Sequence, residues 1–252
     1  MGRSGSGHSV EGGVRGRPAN STRRWILRLL GAAAAVTVAS LHMFVYSPRA
    51  DAEPCPDVEV VFARGTFEPA GVGVTGQAFV DALRAQLPGK SIDVYPVNYP
   101  ASLDFARAAD GVADARTKVQ SVATACPKTK MVLGGYSQGA AVIAYITTDT
   151  IPPDFALPAG ITGPMPAAVA RHVAAVALFG KPSSGFLNMV DANAPPITIG
   201  HAYTAKALDL CVAADPVCSG QGGDPGAHGQ YAVNGMADQA ATFATDNVSL
   251  KT

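Results

Sequence analysis

The sequence predicts an α/β fold, a central, mostly parallel five-stranded sheet with helices on both faces. Three observations lead there. Short β-rich runs alternate with helix-length apolar patterns from residue 58 to residue 248. The run Val58–Ala63 and the nearly continuous apolar run Val173–Phe179 suit strands covered on both sides. No internal repeat or linker divides this stretch.

The elements follow in order. Val58–Ala63 (VEVVFA) is the first strand. Thr75–Leu87 reads as a helix, with Phe79, Leu83 and Leu87 four residues apart. Ile92–Val97 is the second strand, and Gly111–Ala125 a helix with Val112, Val119 and Val122 on one side. Met131–Leu133 is the third strand, followed at once by a helix from Gln138 to Thr147. The Pro- and Gly-rich stretch 152–166 reads as a loop or flap, with room to cover part of a site. Val173–Phe179 is the fourth strand, Ala207–Cys211 a shorter fifth, and Met236–Val248 a closing helix.

The chain has 252 residues, 48% hydrophobic and 15% charged, which excludes a disordered chain, a collagen and a coiled coil. Lys+Arg and Asp+Glu both total 19, unevenly spread. Residues 1–52 hold seven of the basic and two of the acidic side chains, so residues 53–252 carry 12 and 17, a net charge of −5. Such a body does not attract phosphate backbones, which argues against nucleic-acid binding.

Residues 1–52 read as an export leader and 53–252 as the folded domain. A Gly-, Ser- and Arg-rich opening precedes an apolar run, Leu29 to Leu41, and then Ala50-Asp51-Ala52, an A-x-A cleavage pattern. Thr22-Arg23-Arg24-Trp25-Ile26-Leu27 resembles a twin-arginine signal. If His42 is tolerated the apolar stretch reaches Tyr46, and an uncleaved anchor is the alternative. The expected location is secreted or cell envelope. All four cysteines, Cys55, Cys126, Cys211 and Cys218, follow the leader, and an even count in an exported chain favours disulfides. Three connectivities are open. Pairing Cys211 with Cys218 across six residues is the simplest and leaves Cys55 to Cys126.

The chemistry centres on Gly135-Tyr136-Ser137-Gln138-Gly139, a G-x-S-x-G string. The string alone is weak, but here it follows a strand and opens a helix. A tight strand-to-helix turn exposes the Ser hydroxyl and frees the next backbone N–H for an oxyanion. A hydroxyl nucleophile needs a base. Of His172, His201 and His228, the first two flank strand positions and read as structural, whereas His228 lies in a Gly-rich loop late in the chain. The base needs an orienting carboxylate, and Asp215, inside the Cys211–Cys218 segment, is held most firmly. Asp209 falls within a strand, and Asp224 is the main competitor. The order Ser137, Asp215, His228 is that of α/β-hydrolases.

Gly71-Val72-Gly73-Val74-Thr75-Gly76 also matches G-x-G-x-x-G. It stands too far beyond the first strand, and no acid ends the second strand, so it reads as a flexible loop rather than a nucleotide site.

Together, Val60-Val61-Phe62-Ala63-Arg64-Gly65-Thr66, Val97-Asn98-Tyr99-Pro100, Gly134 to Ala140, Ala177-Leu178-Phe179-Gly180 and the Cys211–Cys218 segment around Asp215-Pro216 resemble the cutinase family, in its actinobacterial branch, over about residues 55–248. The resemblance implies a small α/β-hydrolase fold with little or no lid. It implies disulfides Cys55–Cys126 and Cys211–Cys218 and a triad of Ser137, Asp215 and His228. The oxyanion hole it implies uses the N–H groups of Gln138 and Thr66, where fungal members commonly carry Ser in place of Thr66. The expected activity is hydrolysis of carboxylic esters of short to medium acyl chain through an acyl-enzyme, without metal or cofactor. The expected partner is an ester or lipid substrate, with association to a lipid surface and a monomeric chain. A phospholipase A, thioesterase or acyltransferase could use the same triad. A non-catalytic surface protein or antigen is the alternative of another class.

Overall fold

Each strand of the central sheet runs parallel to its neighbours, in the order β2-β1-β3-β4-β5. The computed structural model describes residues 54–151 and 157–250. The expected leader, 1–52, lies outside the described residues. The strands are β1 (Val58–Ala63), β2 (Ile92–Pro96), β3 (Lys130–Tyr136), β4 (Val173–Phe179) and β5 (Ala207–Leu210). The helices are α1 (Gly73–Gln86), α2 (Ala108–Ala125), α3 (Gln138–Thr147), α4 (Ala167–Ala170), α5 (Ser184–Val190), α6 (His201–Thr204) and α7 (Met236–Ser249). Two 3₁₀ turns, Phe105–Arg107 and Pro225–Gly229, join them.

Every residue of β1 and β4 is buried, as a doubly covered parallel sheet requires. Val61, Leu133, Val176 and Leu178 face α2 and α3. Val60, Phe62, Val132 and Ala177 face α1 and α7, where Phe62, Phe79 and Phe179 pack with ring centroids 5.9–6.3 Å apart. This division keeps the crossovers right-handed: α1 serves the step to one edge, and α2 and α3 the steps back across the sheet. Pro96, which has no N–H to give, closes the edge strand β2. The one acid inside β1, Glu59, is buried against Lys118 of α2 at 2.8 Å.

The sequence reading and the structure part at particular places. β3 continues through Gly134, Gly135 and Tyr136, beyond the expected Leu133. Glycine is a weak strand former, but Phe62 packs straight onto this backbone, and a Cβ at Gly134 would lie 2.5 Å from its ring. The expected flexible glycine loop is largely helical, since Gly73 and Gly76 belong to α1. Of the flap 152–166, the described part, 157–166, lies along α2, where Arg116 donates to the Pro164 carbonyl at 3.0 Å. The short α4, α5 and α6 were not anticipated. The disulfides are Cys55–Cys126 and Cys211–Cys218. No helix among the described residues is long and apolar enough to cross a membrane.

Candidate active site

In a sheet of this order the chain reverses direction between β1 and β3, which opens a crevice at their carboxyl ends. Ser137 stands at the end of β3 and Thr66 just beyond the end of β1. Ser137 has φ 55° and ψ −120°, a conformation costly for a residue with a Cβ. Strand and helix force it together. A Cβ on Gly135 would lie 2.3 Å from the Gly139 carbonyl oxygen, and one on Gly139 would lie 2.0 Å from that of Ala63. The two glycines let α3 descend directly against the sheet, and the turn between them thrusts the hydroxyl outward.

The residues the sequence singled out converge here. The Ser137 Oγ lies 2.8 Å from Nε2 of His228, and Nδ1 of His228 lies 2.8 Å from Oδ2 of Asp215. A carboxylate only accepts, so Nδ1 carries the hydrogen and Nε2 is free to receive the serine proton. Asp215 is 0% exposed. Its Oδ1 accepts from the Val217 N–H at 2.8 Å, and the Cys218 sulfur packs 3.2 Å from Oδ2. The disulfide sulfur has no hydrogen to donate, so this is a packing contact that fixes the carboxylate. Tyr136 stacks on the imidazole, ring centroids 5.0 Å apart, and donates its hydroxyl to the His228 carbonyl at 2.7 Å.

The remaining candidates are occupied elsewhere. Asp209 pairs with Lys181 at 3.2 Å, and Asp224 caps the 3₁₀ turn that carries His228 through the Gly226 N–H. His172 contacts the Pro127 carbonyl, and His201 pairs with Asp149 at the surface.

Gln138 is the first residue of α3, so its N–H is among those a helix leaves unpaired at its start, where the helix dipole favours an anion. Neither the N–H nor the hydroxyl of Thr66 has a partner among the described residues. The loop carrying Thr66 is held from behind. The buried Arg64 guanidinium donates to the carbonyls of Glu68, Val97 and Tyr99, the Tyr99 hydroxyl donates to the Arg64 carbonyl, and the Phe67 N–H donates to Ala101 at 2.7 Å. The Gln138 amide donates to the Ser102 carbonyl at 2.9 Å and ties the same loops to α3. The Glu68 carboxylate accepts from the N–H groups of Gly65 at 2.6 Å and Val74 at 2.7 Å. It fills the start of α1 with negative charge, where a nucleotide would need room for phosphate. Donors anchored in this way lose little freedom when charge develops on a substrate oxygen.

Sequence reasoning missed Arg64, Glu68 and Tyr231 as parts of this apparatus. Arg64 was visible only as a charged residue directly after the first strand. Tyr231 had no signal beyond lying three residues after His228. Fully buried, it donates its hydroxyl at 2.6 Å to Oδ2 of Asp215, the oxygen that also accepts from His228. Burial, then its hydrogen bond to Asp215, pushes the phenol's pKa up, so it stays a donor through the neutral range. Replacing Tyr231 with Phe removes one of two donors on that oxygen. The carboxylate then holds the imidazolium more strongly, and the acid limb of the kcat/KM profile is expected to move to higher pH. Stability is expected to fall by about 2 kcal/mol, measured by urea denaturation. An unmoved limb would leave Tyr231 a packing residue only.

A family profile described as Cutinase matches residues 54–248. The chain is 46% identical over 228 residues to a protein of Mycobacterium tuberculosis named Carboxylesterase Culp1, covering 90% of this chain and 98% of that one. It is 44% identical to Phospholipase Culp4 of the same species, over 92% and 99% of the two chains. Among solved structures it resembles Trichoderma reesei cutinase in complex with a phosphonate inhibitor, with 34% identity, a TM-score of 0.57 and coverage of 77% and 78%.

Proposed function

The chain belongs to the cutinase family, and on that premise we propose that it works as a serine esterase with Ser137 as its nucleophile. The observation that carries this reading is the unbroken hydrogen-bonded line from the Ser137 hydroxyl through His228 to the buried Asp215, beside the start of α3. His228 takes the hydroxyl proton as Ser137 attacks the ester carbonyl. Asp215 stabilises the imidazolium. The N–H groups of Gln138 and Thr66, helped by the Thr66 hydroxyl, receive the oxyanion. His228 then protonates the leaving alcohol, and water releases the acid by the same steps in reverse. One such donor is worth about 3 kcal/mol of barrier.

Phe67 and Leu103 flank the site at 73% and 75% exposure, which supports approach to a lipid or aggregated ester surface. The triad lies within one chain, so a monomer suffices. Residues 1–52 serve export, and two disulfides support an oxidising destination.

The experiment is inactivation by a fluorophosphonate followed by peptide mass mapping. The expected result is one label, on Ser137, with loss of p-nitrophenyl butanoate hydrolysis in step with labelling. Labelling of another residue, or full hydrolysis by a labelled protein, would overturn the reading.

A further inference from the structure

A cavity of about 480 Å³ lies beside α2 and α3. That is within the roughly 300–1,000 Å³ range of small-molecule sites. None of Ser137, Asp215, His228, Thr66 or Gln138 lines it. Along its floor, Ala109, Val112 and Arg116 stand three and four residues apart on one side of α2, and Phe105 adds to them from the 3₁₀ turn that leads into that helix. At about 1.5 Å per residue the α2 part is roughly 10 Å long, and the 3₁₀ turn extends it toward Phe105. Leu157 and Ile161 form the roof. The lining therefore follows α2 and the turn before it, the layout of a slot along a helix.

Several of its polar wall groups are engaged within the protein. The Tyr145 hydroxyl donates to the Pro195 carbonyl at 2.6 Å, and the Thr148 hydroxyl meets that of Thr198 at 2.9 Å. Asp191 accepts from the Asn193 N–H at 3.0 Å, and Arg116 spends one nitrogen on Pro164. What faces the slot is mostly hydrocarbon. The Phe105 end lies three residues beyond Ser102, whose carbonyl takes the Gln138 amide.

We propose that this slot holds one long, unbranched acyl chain. A mostly apolar lining drawn out along a helix suits an extended hydrocarbon chain better than a sugar or peptide. Two sources share this chemistry: the acyl part of an ester under attack at Ser137, and a free fatty acid with its carboxylate at Arg116. The first rests on the esterase reading above, whereas the second does not.

Two variants narrow the slot, Ala109→Trp from the floor and Ile161→Trp from the exposed roof loop, each checked for folding by its thermal transition. One arm compares kcat/KM for p-nitrophenyl dodecanoate with that for the butanoate ester. The other measures dodecanoate binding by calorimetry to proteins that also carry Ser137→Ala, against Ser137→Ala alone. If the ester's chain occupies the slot, the dodecanoate-to-butanoate ratio falls at least about tenfold, the effect of excluding some two methylenes. If a free acid occupies it, calorimetric affinity falls by a similar factor. A loss in either arm supports the proposal and names the source. Unchanged values in both arms for a folded variant overturn it. Absence of all ester hydrolysis in the parent protein counts against the esterase reading and leaves the calorimetric arm to decide this one.

Discussion

Ser137→Ala and His228→Ala are each expected to lower kcat for a short ester by roughly 10⁶, and the double variant no further. The lack of additivity is the informative part. A hydroxyl without its base and a base without its hydroxyl are equally idle, because proton transfer across the 2.8 Å contact needs both. The fold should not suffer. The Ser137 side chain makes no capping hydrogen bond to α3, so alanine removes no support from the helix. Ser137→Gly should be as inactive and about 1 kcal/mol more stable than Ser137→Ala, because glycine accepts φ 55° without strain. Steady-state rates and urea denaturation check both parts. Losses that multiply in the double variant would mean that the two side chains act separately.

Gly139→Ala is expected to cost more than about 4 kcal/mol, or to prevent the folded protein from accumulating. A Cβ there would meet the Ala63 carbonyl oxygen at 2.0 Å and that of Arg64 at 2.5 Å. Both are backbone atoms where β1 ends, so neither can swing aside. Relief requires lifting α3 from the sheet, which displaces the Gln138 N–H and misaims Ser137. Gly185→Ala in α5 meets nothing within 4 Å and is the control. It should be neutral or stabilising by about 0.5 kcal/mol, as alanine is the better helix former. Equal denaturation midpoints for the two variants would contradict the close-packed turn.

These two variants also mark how much was readable from residues alone. β1, β4 and the start of α3 were legible because doubly buried parallel strands are apolar throughout and the G-x-S-x-G turn has its own spacing. The end of β3 was not, since Gly134 and Gly135 lower strand propensity for a reason that only Phe62 and α3 reveal. The helices α4, α5 and α6 are four to seven residues long, too short for a periodic signal. Ser137, Asp215 and His228 could be singled out by chain order, because each residue type has one role to fill. Tyr231 and Arg64 could not. Their parts depend on which carbonyl or carboxylate the fold brings within 3 Å, and no spacing rule encodes that.

The most direct test of the central claim is a crystal structure of the protein after reaction with an alkyl phosphonate ester. Phosphorus is expected on the Ser137 oxygen, with one phosphoryl oxygen about 2.7–3.1 Å from the backbone nitrogens of both Thr66 and Gln138. Phosphorus on another residue, or a phosphoryl oxygen turned away from both nitrogens, would contradict it.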